Sequence, residues 1–416
     1  MISQEVPQGY KQTKVGVIPE DWEVVRLGDV FDFIKTYSNS RSHLSDIGDI
    51  EYLHYGDIHT KYKFHIDLSQ VTLPKISKDN IKGEIKYVQE GDLIIADASE
   101  DYADIGKSVE VINIGDKKVI SGLHTFLLRD KENTFADMYR GLFLYNQNIS
   151  KEIKKIATGI SVLGISKTNL GKILLPLPPL KEQQKIAQIL TTWDRAIEKL
   201  EALIEEKERL KKGLMQKLLS GEVRFEGFDG EWEYKNADLL FETISNKDHN
   251  SDLPILAISQ DLGAVPRHMI NYKITATEKS ISGYKVIEKG DFIISLRSFQ
   301  GGIEYSNYKG ICSPAYIILR PCVIIEDIFY KYYFKTHKYI QQLNSKLEGI
   351  RDGKMISYKY FSEIKIPFPL IEEQQKIAQT LTTADKEIEL LKKELEALKE
   401  QKRGLMQRLL TGEVRV

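Results

Sequence analysis

Cysteine is nearly missing: Cys312 and Cys322 are the only two in 416 residues, and no second pair exists to complete a zinc site. A disulfide framework is excluded as the organising device, and a reducing cytoplasm is the expected home. Long apolar runs are missing too. The most apolar stretch, Ala315 to Phe334, is broken by Arg320, Glu326 and Asp327, short of the roughly 18 uninterrupted residues that a membrane span needs. The first residues, Met1-Ile2-Ser3-Gln4-Glu5, lack the basic start and apolar run of a secretory signal. Nor is there an excess of positive charge, because 59 lysines and arginines face 60 acidic residues. Residues 1–180 hold about 22 basic and 25 acidic side chains, so nucleic-acid binding there calls for a local basic face or a partner's help.

Signatures of catalysis are also wanting. Ile105-Gly106-Lys107-Ser108 ends like a phosphate loop, but Asp101 stands where the loop's first glycine belongs, and strand-like Val109-Glu110-Val111 follows. Ser313-Pro314-Ala315-Tyr316 has alanine where an amino-methyltransferase motif has proline. Glu152-Ile153-Lys154 and Glu363-Ile364-Lys365 are nuclease-like triplets, without the preceding acidic ligands that a metal-dependent nuclease requires. His54, Asp57, His59 and His65 form the one metal-like cluster. Its spacing fits no common ligand pattern and reads as a polar loop or strand edge. The expectation is a chain with no catalytic, cofactor or metal centre of its own.

What is present is a duplication. Glu182 to Arg224 and Glu373 to Arg415 align at a constant offset of 191 residues without a gap, with 26 of 43 positions identical. Proline-punctuated segments precede both blocks, Leu175-Pro176-Leu177-Pro178-Pro179 and Ile366-Pro367-Phe368-Pro369. Trp22-Glu23 and Trp232-Glu233 open the larger segments, and Gly91-Asp92-Leu93-Ile94-Ile95 matches Gly290-Asp291-Phe292-Ile293-Ile294. Between these anchors the large segments share little. The order is variable domain (1–180, with an N-terminal arm), constant helix (181–225), variable domain (226–371), constant helix (372–416).

The constant blocks read as helices. Glu182 and Glu373 place acid at the positive end of a helix dipole. Ile388, Leu391, Leu395 and Leu398 keep a 3–4–3 spacing that Ile197, Leu200 and Ile204 begin in the first copy, which is a coiled-coil seam. Thr191 with Asp194, and Thr382 with Asp385, fit either a kink or a fresh helix start. Gly221 and Gly412 stop the helices. A helical hairpin with no role beyond stability gives the same heptads. Two antiparallel copies in one chain, however, create a local twofold axis, as a homodimer would, with the variable domains at opposite ends. Such a pseudo-dimer suits a bipartite target on duplex DNA.

Within the variable domains, Leu93-Ile94-Ile95, Val109 to Ile112 and Ala315 to Leu319 read as short strands. Phe135 to Tyr145 and Ile328 to Ile340 read as helices whose aromatic residues belong to the core rather than to base-stacking platforms. The expected fold class is α+β: two domains related by pseudo-twofold symmetry and separated by two long antiparallel helices in an intramolecular coiled coil.

Several motifs together resemble one known family, the specificity subunits of type I restriction–modification systems. They are Gly16-Val17-Ile18-Pro19-Glu20-Asp21-Trp22, the two Pro-x-Pro…Glu-Gln-Gln-Lys-Ile-Ala segments, the two Gly-Leu-Met-Gln-(Lys/Arg)-Leu-Leu-(Ser/Thr)-Gly segments, and Phe228-Asp229-Gly230-Glu231-Trp232. The resemblance covers the chain end to end. It implies a non-catalytic subunit in which each variable domain reads one half of a split double-stranded DNA target. The helices would space the halves and dock two modification subunits, which carry S-adenosylmethionine and methylate adenine. Restriction subunits that translocate and cleave DNA with ATP and Mg would join that core. A protein-interaction scaffold without DNA readout is the alternative.

Base reading needs side-chain donors and acceptors, with arginine on guanine and Asn or Gln on adenine as the strongest pairings. Candidates lie in loops that recur in both domains. In the second domain they are Arg297, Ser298 and Gln300 after the Gly-Asp strand, and Arg351 and Lys354 before the helix. In the first they are Ser99, then Thr158 and Ser161, joined by His54, Tyr55, Lys61 and His124. Glycines in these loops let backbone approach a phosphate closely.

Overall fold

Each repeated block forms one uninterrupted helix in the computed structural model, which describes residues 6–250, 252–270, 281–345 and 356–416. The first long helix is Leu180–Ser220 and the second Ile371–Leu410. The Thr-x-x-Asp signals start no new helix, because their aspartates are engaged elsewhere: Asp194 pairs with Lys402, and Asp385 with Lys211. Both helices end on a glycine in the left-handed region, Gly221 (φ 74°) and Gly412 (φ 75°). The amides of Val223 and Val414 then reach back to the carbonyls of Lys217 and Arg408, which satisfies the frayed last turn.

The chain folds as two units, Met1–Glu201 with Glu394–Val416, and Ala202–Lys393. Both divisions fall inside the long helices, so each unit holds the start of one helix and the end of the other. The helix segments run antiparallel in each. In the first unit Asp194 faces Lys402 and Glu201 faces Lys399; in the second Lys207 faces Glu387 and Lys211 faces Asp385. Ile197, Ile204 and Ile388 are buried along the seam, whereas Leu200, Leu391, Leu395 and Leu398 are half-buried, as a two-helix seam leaves them.

The first unit is built on a five-stranded sheet in the order Phe31–Ile34, Thr125–Asp130, Leu93–Ala96, Ser108–Ile112, Phe64–Asp67. All neighbours are antiparallel except the last pair. The second unit repeats four of these places with Phe241–Ile244, Ile317–Pro321, Phe292–Ile294 and Glu304–Tyr305. The proline-punctuated segments are edge strands: Leu174–Leu177 pairs with Glu23–Arg26, and Lys365–Phe368 with Glu233–Asn236. A two-stranded ribbon tolerates proline because one side of each strand needs no donor.

In both units the helix ends belong to the domain core. Ile186, Leu190, Leu409 and Leu410 pack with Phe31, Phe143 and Leu175, while Leu218, Leu219, Ile377 and Leu381 pack with Phe241, Phe292 and Phe334. The aromatic residues are core, as expected. One helix is not. Phe135 to Tyr145 is a run of turns closing in the short 3-10 segment Phe143–Tyr145. Three of its amides find side chains instead of an i−4 carbonyl: Ala136 N donates to Gln183 Oε1, and Met138 N and Gly141 N donate to Glu110; the Arg140 guanidinium meanwhile takes the Phe135 carbonyl. In the second unit the equivalent stretch is the helix Asp327–Tyr333, and the expected helix Ile328 to Ile340 is divided between it and His337–Ser345.

Candidate nucleic-acid interface

The constant frame of each unit is one buried carboxylate with three donors. Glu182 accepts from Trp22 Nε1 at 2.8 Å and from Arg415 Nε and Nη2 at 2.7 and 2.9 Å. Glu373 accepts from Trp232 Nε1 at 3.0 Å and from Arg224, whose Nη2 lies at 2.7 Å. A second pair recurs in both units: Asp92 binds Arg129 through both oxygens, and Asp291 binds Arg320 in the same way. The helix lysine of each Asp–Lys pair also lies over an aromatic ring of its domain: Lys402 over Phe64 at 4.4 Å, and Lys211 over Tyr332 at 5.7 Å.

On this frame the loops differ. In the first unit, His54, Tyr55 and His124 come together although about 70 residues separate them in sequence. The Tyr55 ring centroid lies 4.6 Å from that of His54, 5.3 Å from His124 and 5.9 Å from His59. His59 Nε2, 2.8 Å from the Ala98 carbonyl, ties this cluster to the Ala98–Ser99 strand. That strand pairs with Leu163–Gly164 across from the Thr158–Val162 tip. Gly159 (φ 135°) admits no side chain there, since a Cβ would meet the Val162 carbonyl oxygen at 2.0 Å. Ile160, Ser161 and Val162 are exposed at the tip.

Six of the seven candidates in the first domain therefore converge on one rim. Lys61 stands at the far end of the same helical turn, 3.0 Å from buried Asp57, which also holds Arg41 at 3.3 Å. His54 and Ser99 are turned inward. The His54 Nδ1 accepts from Gly56 N, and the Ser99 hydroxyl donates to the Asp101 carbonyl. Burial, helped by nearby Arg41, holds the His54 imidazole below its ordinary range; burial raises the Asp97 carboxyl, against the pull of His124. His59, Arg41 and Asp97 were not among the base-reading candidates.

In the second unit, Arg297 and Gln300 are exposed on the turn that holds Ser298–Gly301. Ser298 is buried, its hydroxyl accepting from Ser295 N at 2.8 Å, so it shapes the turn and does not face outward. Two residues missed by sequence reasoning fasten this turn to the hairpin of Leu256–Ser259 and Gly263–Pro266. Gln260 Nε2 donates to the Arg297 carbonyl at 3.2 Å. Lys335 Nζ donates to the carbonyls of Gln260 and Gly301, at 3.1 and 2.9 Å, and to Glu304 Oε1 at 2.6 Å. Burial raises the Tyr316 hydroxyl, with the positive charges of Arg267 and Arg297 pulling the other way. Arg351 and Lys354 lie outside the described residues. Among the described residues no group of His, Cys, Asp or Glu is placed to hold a metal ion, and no helix is long and apolar enough to cross a membrane.

The family model of the type I restriction modification DNA specificity domain matches residues 19–209 and again 232–400, each match spanning one variable domain and part of the helix after it. The chain belongs to this family. A specificity-family chain is the non-catalytic component of its restriction–modification complex, and two copies of the domain fit recognition of a two-part DNA target. Among curated relatives, the putative type I restriction enzyme MjaX specificity subunit of Methanocaldococcus jannaschii is 28% identical over 98% of this chain and 97% of its own length. The MjaVIII specificity subunit of the same organism is 27% identical over 96% and 94%. In solved structures the same fold occurs in the type I S subunit from M. genitalium (17% identity, 98% of both chains, TM-score 0.51). It occurs also in the HsdS subunit from Thermoanaerobacter tengcongensis (21% identity, 95% and 98% covered, TM-score 0.51).

Proposed function

We propose that each unit of this specificity-family chain reads one half of a split duplex-DNA target, through the first-unit rim around Tyr55, Ser161 and His124 and the second-unit turn bearing Arg297 and Gln300. The observation that carries this reading is the contrast within each unit. The frame of Trp, Glu and Arg, and the Asp–Lys pair on the helices, is the same twice over, while the loops it supports share no side-chain pattern. Independent choice of two half-sites on one scaffold calls for that arrangement. The long helices set the gap between the half-sites. They also dock two modification subunits, which supply S-adenosylmethionine, and restriction subunits supply ATP-driven translocation and Mg-dependent cleavage. The complex works in the cytoplasm.

The test is co-expression with the modification subunits, followed by genome-wide mapping of methylated adenines. A single split motif with a fixed gap is expected. A stable complex with no new methylation would favour the scaffold reading. Arg297→Ala should relax one position of one half-site, at a cost of about 1–3 kcal/mol in discrimination; an unchanged motif would remove Arg297 from the readers.

A further inference from the structure

The two units differ at the place where the domain's helix meets the end of a long helix. In the first unit the hairpin of Tyr10–Thr13 and Gly16–Pro19 lies over this place. The Tyr10 hydroxyl donates to the Gly412 carbonyl at 2.9 Å, and Asn148 Nδ2 donates to the Val15 carbonyl at 3.3 Å. Gln407 closes the seam beneath, donating to the Tyr145 carbonyl and accepting from Gln147 N. With Lys14, Val15 and Gly16 seated against Asn148, Lys151 and Leu174, a cavity of about 250 Å³ remains.

The second unit has the same walls and, among the described residues, no hairpin over them. Lys338, Gln341 and Lys365 take the places of Asn148, Lys151 and Leu174, on the helix His337–Ser345 and the strand Lys365–Phe368. Gln216, the counterpart of Gln407, makes no closing bond among the described residues. Phe225–Glu231, the only residues between Arg224 and Trp232, are too few to repeat the hairpin. The groove is consequently about 740 Å³, and among the described residues no other segment fills it. Three exposed ammonium groups line it, Lys217, Lys338 and Lys365; among the described residues none is in an ion pair, and Glu222 is the one carboxylate of the lining. Gln216, Gln341 and Gln342 add backbone-like amide donors and acceptors.

We propose that this groove docks an acidic, extended segment of a modification subunit, in the seat that the chain's own arm takes in the first unit. The arm shows what the seat accepts: a narrow two-stranded turn whose carbonyl is met by a side-chain amide. The charge shows whose turn it is not. The hairpin itself, Tyr10 to Pro19, carries Lys11 and Lys14 and no acid, so the hairpin of a second copy would leave Lys217, Lys338 and Lys365 without counter-charge, which disfavours pairing. Carboxylates would instead meet three unpaired ammonium groups. The inference rests on the proposed assembly with modification subunits, and it is independent of which bases are read.

The test places a photo-crosslinking amino acid at Gln341 in the full co-expressed complex, purified with its modification subunits bound. The same probe at Lys151 serves as the control and should link to residues of the chain's own arm. The expected adduct at 341 is a peptide of a modification subunit rich in Asp or Glu, with a yield that falls about tenfold in the Lys338→Glu, Lys365→Glu double variant. An adduct to the arm of a second copy, an adduct to DNA alone, or no adduct while the control links would each overturn the proposal. Methylation mapping of the same preparation separates the two readings: a normal split motif with no adduct leaves the specificity role standing and removes the docking seat.

Discussion

Arg415, next to last in the chain, donates Nε at 2.7 Å and Nη2 at 2.9 Å to the two carboxylate oxygens of Glu182, the third residue of the first long helix. Trp22 donates to the same carboxylate. The beginning, middle and end of the sequence thus meet at one buried acid. Coulomb attraction and bidentate geometry hold Arg415 there, and removing it would leave Glu182, 6% exposed, with the indole alone. Arg415 is itself 40% exposed, so solvent screening tempers the loss. Arg415→Ala should destabilise the first unit by about 2 kcal/mol, read as a lower urea midpoint for that unit. An unchanged midpoint would mean that the pair orients the chain end without stabilising it.

Glu304 is buried at 1% exposure with one oxygen on Lys335 and the other, Oε2, without a partner. Burial pushes its carboxyl up from 4.5 to about 7. Its folded pKa is therefore above the unfolded one, so its contribution is full below about 4.5 and is lost as pH rises through about 7. Glu304→Gln keeps an acceptor for Lys335 and abolishes the titration. The second unit of the variant should lose less stability than the parent between pH 5 and 7; parallel pH profiles would contradict the buried-acid assignment.

Gly302 sits at φ 80°, and a Cβ there would lie 2.0 Å from the Phe334 carbonyl oxygen. Gly302→Ala should cost about 2 kcal/mol or more and shift the turn that carries Arg297 and Gln300. In methylation mapping the half-site of the second unit should become degenerate while that of the first stays intact. Equal degeneracy in both halves would show a global defect instead.

Four residues inserted after Glu201 and four after Lys393 would lengthen both helices at the division between units. The ion pairs inside each unit, Asp194 with Lys402 and Asp385 with Lys211, would be kept. Each insertion adds about 6 Å of helix, or roughly two base pairs of duplex. The mapped motif should gain about two unspecified base pairs with both half-sites unchanged. An altered half-site with a fixed gap would defeat the idea of the helices as a ruler.

Much of the fold was legible because its signals are local. Leu93–Ala96, Ser108–Ile112 and Ile317–Pro321 are strands where β-branched and apolar runs announced them. Phe135 to Tyr145 misled because its aromatic spacing is helical while its amides are claimed by Gln183 and Glu110, far away in sequence. The candidates His54, Tyr55 and His124 were named singly from the sequence; that their rings meet follows only from the fold. Gln260 and Lys335 carried no pattern at all; their roles follow from the hairpin they fasten.

The sequence by itself determined the duplication, the two helices with their seams and stops, the α+β character and the specificity family. These rest on short-range periodicity, on glycine's access to positive φ, and on an ungapped repeat 191 residues apart. Only the tertiary structure decided that Glu182 is shared by Trp22 and Arg415 and that Lys335 props the Arg297 turn. It also decided that the arm covers in the first unit a groove that no described segment covers in the second. Each of these is a meeting of side chains from distant parts of the chain, made in a dry core where a buried charge must find its partners, and no local pattern encodes which partners those are.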